Sequence, residues 1–261
     1  MIFETKQQTM TPWLMPFSKV RNGRLRLIFF PHAGGGASAF TQWSQILAPY
    51  IDCYAIQLPG RETRFREPLF QEIRPLINTL TEQLDSILDD PFIFWGHSMG
   101  ALLSFEVARQ LQKQGLPTPQ QLIVSGYNAP HIPYDDPHIH HLSQADFIAA
   151  LQTLNGTSPE VFQNHELRNL VLPIIRADFK LVETYAYQEG TPLKCPITVL
   201  DGIDDEKTNE TDLQAWQKQT TLPLQKFTFS GDHFFLYDHS SQLIQQLIKI
   251  VFNHQIRSVQ G

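Results

Sequence analysis

Phe92-Ile-Phe-Trp-Gly-His-Ser98-Met-Gly-Ala101 decides how the rest of this chain is read. Four apolar residues make a short buried strand. Gly96-His97-Ser98-Met99-Gly100 follows, and an apolar helical run comes after it. Gly-x-Ser-x-Gly between a strand and a helix is the pattern of a nucleophile elbow. The turn is so sharp that the residues two before and two after the serine nearly collide, so both must lack a side chain. The serine itself is held strained, with its hydroxyl exposed. A serine hydroxyl is a poor nucleophile alone, so a base and an acid are expected elsewhere in the chain.

On the N-terminal side, 25–30 is β-rich and runs into Pro31-His-Ala-Gly-Gly-Gly-Ala37, a glycine-rich loop. A helix is expected over 38–48, with Phe40, Trp43, Ile46 and Leu47 at helical spacing. The next strand, 51–57, is broken by Leu58-Pro59-Gly60, and 61–67 is expected as a charged surface loop. An amphipathic helix spans 75–88, with Pro75 in its first turn. After the elbow, 99–114 is apolar nearly all round at its start, as a helix buried under a sheet would be. Gly115 and Pro117 end it, and 122–125 is another strand.

Strand and helix thus alternate, which implies a mostly parallel central sheet with helices on both faces. The alternation breaks over 127–187. That stretch offers no strand but two helical runs. One starts at Ser143 with a capping-box-like Asp146. The other covers 166–186, with a kink or restart at Pro173. A helical insertion over the sheet, placed where a lid would be, is the expectation. Strands resume at 196–200 and 224–229, with helices at 211–219 and 241–253. Residues 1–24 read as a polar, Pro-interrupted lead-in anchored by Trp13, Leu14, Met15 and Phe17, and the last eight residues as a frayed end.

At 261 residues the chain is long enough for one α/β domain covering 1–261 with a sizeable core. No apolar run reaches the ~18 residues of a membrane span. Met1-Ile-Phe-Glu-Thr-Lys6 does not read as a secretion signal, so a cytoplasmic protein is expected; a monomer is expected as well. Cys53 and Cys195 are expected to be core thiols in a reducing compartment. The net charge of −6 argues against nucleic acid as a partner.

In an open parallel sheet, reactive groups collect in loops at the carboxyl ends of strands. Three such loops carry suitable chemistry. Ser98 follows the 92–95 strand, Asp204 and Asp205 follow 196–200, and His233 follows 224–229. Ser, Asp, His is the chain order of the α/β-hydrolase fold. A Gly-x-x-Asp turn from Gly202 would aim Asp205 at the histidine, so Asp205 is preferred; Asp204 stays open and Asp201 is third. The acid should accept from His233 Nδ1, and Nε2 should take the Ser98 proton. The oxyanion needs preorganised donors. The Met99 backbone N–H and an N–H from the 31–35 loop, that of Ala33, are the candidates.

Other features have blander readings. The Gly34-Gly35-Gly36 run lacks both the Lys-Ser/Thr of a phosphate loop and any dinucleotide spacing. His131, His138, His140 and His141 suggest a metal, but they sit in a Pro-rich polar loop without Cys or helical spacing, and a solvated hinge is preferred. Arg61, Arg64 and Arg66 are expected on a solvated face. His97 either touches substrate or packs.

Five segments together match something familiar. They are Phe30-Pro-His-Ala-Gly-Gly35, Leu58-Pro-Gly-Arg-Glu62, Gly96-His-Ser-Met-Gly-Ala101, Leu172-Pro-Ile-Ile-Arg-Ala-Asp178 with Glu183-Thr-Tyr185, and Gly231-Asp-His-Phe-Phe235. This combination resembles the type II thioesterases, free-standing α/β hydrolases that accompany nonribosomal peptide and polyketide synthases. The resemblance implies hydrolysis of acyl groups from the phosphopantetheine arm of acyl or peptidyl carrier protein domains, to clear misprimed or stalled arms. It implies Ser98, Asp205 and His233 as the catalytic residues, with Ala33 and Met99 at the oxyanion hole. It implies no cofactor beyond the pantetheine of the substrate. Ile203-Asp204, and the lack of a proline after Asp205, depart from the family pattern and bear on which aspartate serves. A general carboxylesterase or lipase, and a non-catalytic acyl-binding protein, are the competing functions.

Overall fold

The computed structural model describes residues 11–17, 25–154, 156–238 and 240–259. The expectation of no secretion signal over 1–6 and the final two residues of the frayed end lie outside them. Among the described residues, seven strands form one sheet in the order β1-β3-β2-β4-β5-β6-β7. They are β1 (Leu14–Pro16), β2 (Arg26–Phe30), β3 (Asp52–Ile56), β4 (Phe92–His97), β5 (Gln121–Ser125), β6 (Ile197–Gly202) and β7 (Gln225–Phe229). β2 to β7 are parallel, and only β1 runs antiparallel, along β3. Parallel neighbours need crossover helices, and those helices cover both faces.

Alternate residues of each strand feed opposite cores. Ile28, Phe30, Phe92, Phe94, Leu122 and Val124 face α2 (Ile73–Leu84) and α3 (Met99–Gln114). Leu27, Phe29, Ile93, Trp95 and Ile123 face α1 (Thr41–Leu47) and α9 (Ser240–Val259). The all-apolar strand sequences follow from this burial on two sides. Cys53 and Cys195 are both buried, as expected. Among the described residues, no helix is long and apolar enough to cross a membrane.

Between β5 and β6 the described residues hold three helices, α4 (Gln144–Thr153), α5 (Pro159–Gln163) and α6 (His165–Glu183), and a single β-bridge from Leu193 to Thr220. Phe147, Leu151, Leu172 and Ile175 give the helices a small core of their own. The start of α4 is as expected, with the Ser143 hydroxyl accepting from the Asp146 N–H. Pro173 does not restart the second helix: α6 is continuous, with Pro173 inside it. Helices α7 (Glu210–Gln214) and α8 (Phe235–Asp238) complete the set.

Three other expectations change. The lead-in does more than anchor, because Leu14–Pro16 adds an edge strand to β3. α9 continues as helix to Val259, past the expected end at 253. The 61–67 segment is a surface loop only in part: Glu62, Thr63, Phe65, Arg66 and Glu67 are exposed as expected, but two of its arginines are not. Arg61 and Arg64 are 5% and 6% exposed, and each guanidinium is committed to partners inside the protein.

Candidate active site

The carboxyl ends of β2, β4, β6 and β7 bring the expected residues to one edge of the sheet. Ser98 closes β4 and caps α3 with φ 53° and ψ −120°. A non-glycine residue at positive φ is strained and is held there by its surroundings. The surroundings are visible. A Cβ on Gly96 would overlap the Gly100 carbonyl, and one on Gly100 would overlap the Phe30 carbonyl. The Ser98 N–H donates to the Ser125 carbonyl at 2.8 Å, tying the elbow to β5.

Asp205, not Asp204, reaches the histidine. His233 Nδ1–H donates to Asp205 Oδ2 at 2.8 Å. The Asp205 carboxylate is fully buried, and its Oδ1 accepts from the Lys207 N–H at 2.9 Å. The turn is set by the Asp205 N–H donating to the Gly202 carbonyl, which is the Gly-x-x-Asp turn expected from the sequence. Asp204 is exposed. Asp201 is buried and accepts from the Thr208 hydroxyl at 2.8 Å. Burial, with Asp205 nearby, raises its pKa to about 6 even though the Thr208 hydrogen bond opposes the shift.

One imidazole, that of His97, borders His233, and the His32 ring lies 6.2 Å from His97 in turn. The His97 ring is 4.9 Å from that of His233, centroid to centroid, and is hydrogen-bonded through Nδ1 to the Ser125 hydroxyl. A Cβ on Gly126 would overlap His97 and lie 3.1 Å from His233 Cε1. Burial, then the nearby His233 and His32, push the His97 pKa well below the usual value. Burial also takes the partly buried His32 down to about 4. Both are therefore neutral imidazoles near neutral pH. Phe234 packs its ring against His32, His97 and His233.

The Met99 N–H belongs to the first turn of α3, where backbone N–H groups have no intrahelical acceptor and the helix dipole favours negative charge. Ala33 lies in the loop after β2. Its neighbours are held: the Gly35 N–H donates to the His32 carbonyl at 2.9 Å, and the Gly34 N–H donates to Asp178 Oδ2 at 2.7 Å.

The histidines of the 131–141 loop take separate roles. His138, His140 and Glu183 place ligand atoms within 4.8 Å of one another, the one such grouping among the described residues. Glu183 already accepts from the Ile139 and His140 N–H groups and from the His140 ring, which anchors the loop to α6. His131 meets Gln219 instead.

Sequence reasoning missed the partners of Arg61. Its guanidinium pairs with Asp178 through two bonds, 2.6 and 2.8 Å. The two residues are 117 positions apart, so no local spacing pairs them.

A family model described as "Thioesterase domain" matches residues 25–251. The chain belongs to the thioesterase family. This thioesterase is similar to a Brevibacillus parabrevis protein named linear gramicidin dehydrogenase LgrE, 40% identical over 89% of each chain. The word dehydrogenase describes that relative; the present chain lacks a dinucleotide-binding glycine pattern. The thioesterase is also 38% identical to the gramicidin S biosynthesis protein GrsT of Aneurinibacillus migulanus, over 91% of this chain and 93% of the relative. The solved structure of the type II thioesterase BorB from the borrelidin biosynthetic cluster superposes with a TM-score of 0.84 at 36% identity, covering 92% and 97% of the two chains. The thioesterase is thus a thioester hydrolase of the α/β-hydrolase fold.

Proposed function

We propose that this thioesterase hydrolyses acyl groups from the phosphopantetheine arm of acyl or peptidyl carrier protein domains in a nonribosomal peptide or polyketide synthase. It does so as a monomer, through an acyl-enzyme on Ser98. One observation carries the reading: Ser98 at φ 53° heads α3 while the His233–Asp205 pair stands at the same sheet edge.

Ser98 Oγ attacks the thioester carbon as His233 Nε2 takes its proton. Asp205 accepts from Nδ1–H and stabilises the imidazolium. The oxyanion sits between the Ala33 and Met99 N–H groups. Collapse breaks the C–S bond, and the proton on Nε2 goes to the departing thiolate. Water then gives a proton to His233 and attacks the acyl carbon, and Ser98 leaves with that proton. Every bond and proton balances without a metal or organic cofactor, and the pantetheine arrives with the substrate. Burial lowers the pKa values of His97 and His32 and makes them weak proton acceptors, and His233, held by Asp205, is the base of the site. The names of GrsT and BorB, both tied to biosynthesis of natural products, support carrier proteins as partners and clearing of blocked arms as the task.

Intact-mass analysis of carrier protein loaded with a panel of acyl groups tests this. Loss of acyl mass with retention of the arm is expected, and Ser98→Ala should abolish it. Hydrolysis of simple aryl esters with acyl-carrier protein untouched would instead indicate a general esterase.

A further inference from the structure

The loop after β2 is held from outside at several successive peptides. Asp178 of α6 accepts the Gly34 N–H at 2.7 Å. Arg61 Nη1 donates both to the Gly35 carbonyl, at 3.0 Å, and to Asp178 Oδ2, at 2.6 Å. Arg61 Nη2 completes the fork on Asp178 Oδ1 at 2.8 Å. Further along, Gln57 accepts from the Ala37 N–H at 3.2 Å. Glu62, itself at φ 48°, accepts from the Ser38 N–H and hydroxyl. Helix α6 presses on the same loop, since a Cβ on Gly34 would come within 2.9 Å of Ile175 Cγ1.

The consequence is geometric. The His32–Ala33 peptide has its carbonyl turned to the Gly35 N–H. In a trans peptide the N–H points opposite to the C=O, so the Ala33 N–H is turned the other way. That orientation lasts only while the Gly34 and Gly35 peptides stay in place. Their outside holders are Asp178 and Arg61, which are 2% and 5% exposed. A bidentate guanidinium–carboxylate pair fixes angle as well as distance. Burial removes the competing water that would loosen it.

We propose that Arg61 and Asp178 are positioning residues for the oxyanion hole: their ion pair sets the direction of the Ala33 N–H and ties it to α6. This rests on the reading above that Ala33 supplies an oxyanion donor. Neither side chain is assigned contact with substrate. The pair acts where charge develops, so its loss should be felt in the transition state more than in substrate binding.

Three measurements on Asp178→Asn and Arg61→Lys test this: kcat and KM for an acyl-pantetheine thioester, melting temperature, and affinity for an acyl trifluoromethyl ketone. The ketone forms a tetrahedral adduct whose oxyanion occupies the hole. Asp178→Asn should lower kcat roughly 100-fold, on the scale of a lost oxyanion donor, with KM within about threefold. Ketone affinity should fall by the same factor as kcat. Arg61→Lys keeps the cation but not the fork, and should retain part of the activity with the same parallel loss in ketone affinity. A purely structural staple would lower the melting temperature and leave kcat of the folded enzyme unchanged. That result, or a fall in kcat with undiminished ketone affinity, overturns the proposal. Should Asp178→Asn fail to fold, Arg61→Lys decides by the same criteria. Ser98→Ala separates the two levels. Full turnover there refutes the acyl-enzyme mechanism itself, whereas an inactive Ser98→Ala beside a fully active Asp178→Asn refutes only the positioning role.

Discussion

Replacing Asp205 by asparagine changes one charge and almost no volume, and the hydrogen bonds around that carboxylate set the effect. Oδ1 of Asp205 accepts from the Lys207 N–H at 2.9 Å, and Oδ2 faces His233 Nδ1 at 2.8 Å. In the variant the Lys207 N–H still needs an oxygen. The amide oxygen therefore stays there, and the NH2 turns to the histidine. His233 Nδ1 must then accept, which places the ring proton on Nε2. An Nε2–H cannot take the proton of Ser98. The stabilisation of the imidazolium is lost as well. Together these should lower kcat by roughly 10³–10⁴, or about 4–5.5 kcal/mol of barrier, with KM little changed. Asp204→Asn should stay within about twofold of the parent, because that side chain is exposed and its N–H keeps the Gly231 carbonyl. Thiol release from an acyl-pantetheine thioester, measured with a disulfide reagent, reads both. Asp205→Asn retaining more than roughly a tenth of the parental kcat, or the reverse ordering of the two variants, would refute the acid assignment.

The same edge of the sheet sets other outcomes. Gly96→Ala should abolish folding, since its Cβ would overlap the Gly100 backbone. Gly115→Ala, also at a tight backbone position (φ 70°) but with open space around the site, should lose only about 1–2 kcal/mol; equal unfolding midpoints in urea would contradict this. Gly126→Ala, crowded against His97 and His233, should cut kcat at least about tenfold in protein that stays folded by circular dichroism; parental turnover would contradict it. Asp201 has its pKa raised from 3.8 to about 6, so the stability of its protonated form is present below about 4 and is lost as pH rises through 6. Asp201→Asn keeps an acceptor for the Thr208 hydroxyl and should gain on the parent over that window, by on the order of 2 kcal/mol. A gap that narrows with rising pH would show the opposite sign.

The elbow was legible because its constraint is local: two glycines and a serine within five residues, at a strand–helix junction. The sheet was legible because strands buried on both faces are apolar throughout. The edge strand Leu14–Pro16 was not, since three residues carry no periodicity and its pairing with β3 is decided at a distance. The choice between Asp204 and Asp205 needed the turn itself, closed by the Gly202 carbonyl, to point one carboxylate inward. Arg61 misled for a related reason. Charge clusters near Pro and Gly are ordinarily solvated, and only a carboxylate far along the chain makes burial of this one favourable. Burial of Arg64 has a similar origin, with its guanidinium 4.0 Å from the Trp13 ring centroid and donating to the Gln57 carbonyl.

The place of β4 in the sheet also governs the order in which the enzyme comes into being. β4 lies between β2 and β5, and the elbow leans on Phe30 on one side and hydrogen-bonds to Ser125 on the other. Such parallel pairings form only after long stretches of chain have been made and brought together. A nascent chain that has exposed Ser98 to its surroundings, but has not docked β5, lacks that backbone hydrogen bond. Asp205 and His233 emerge later still. On the proposed mechanism, the hydroxyl gains its reactivity only once His233 has been made and docked beside Asp205. Until then the newborn chain is harmless to the thioesters around it.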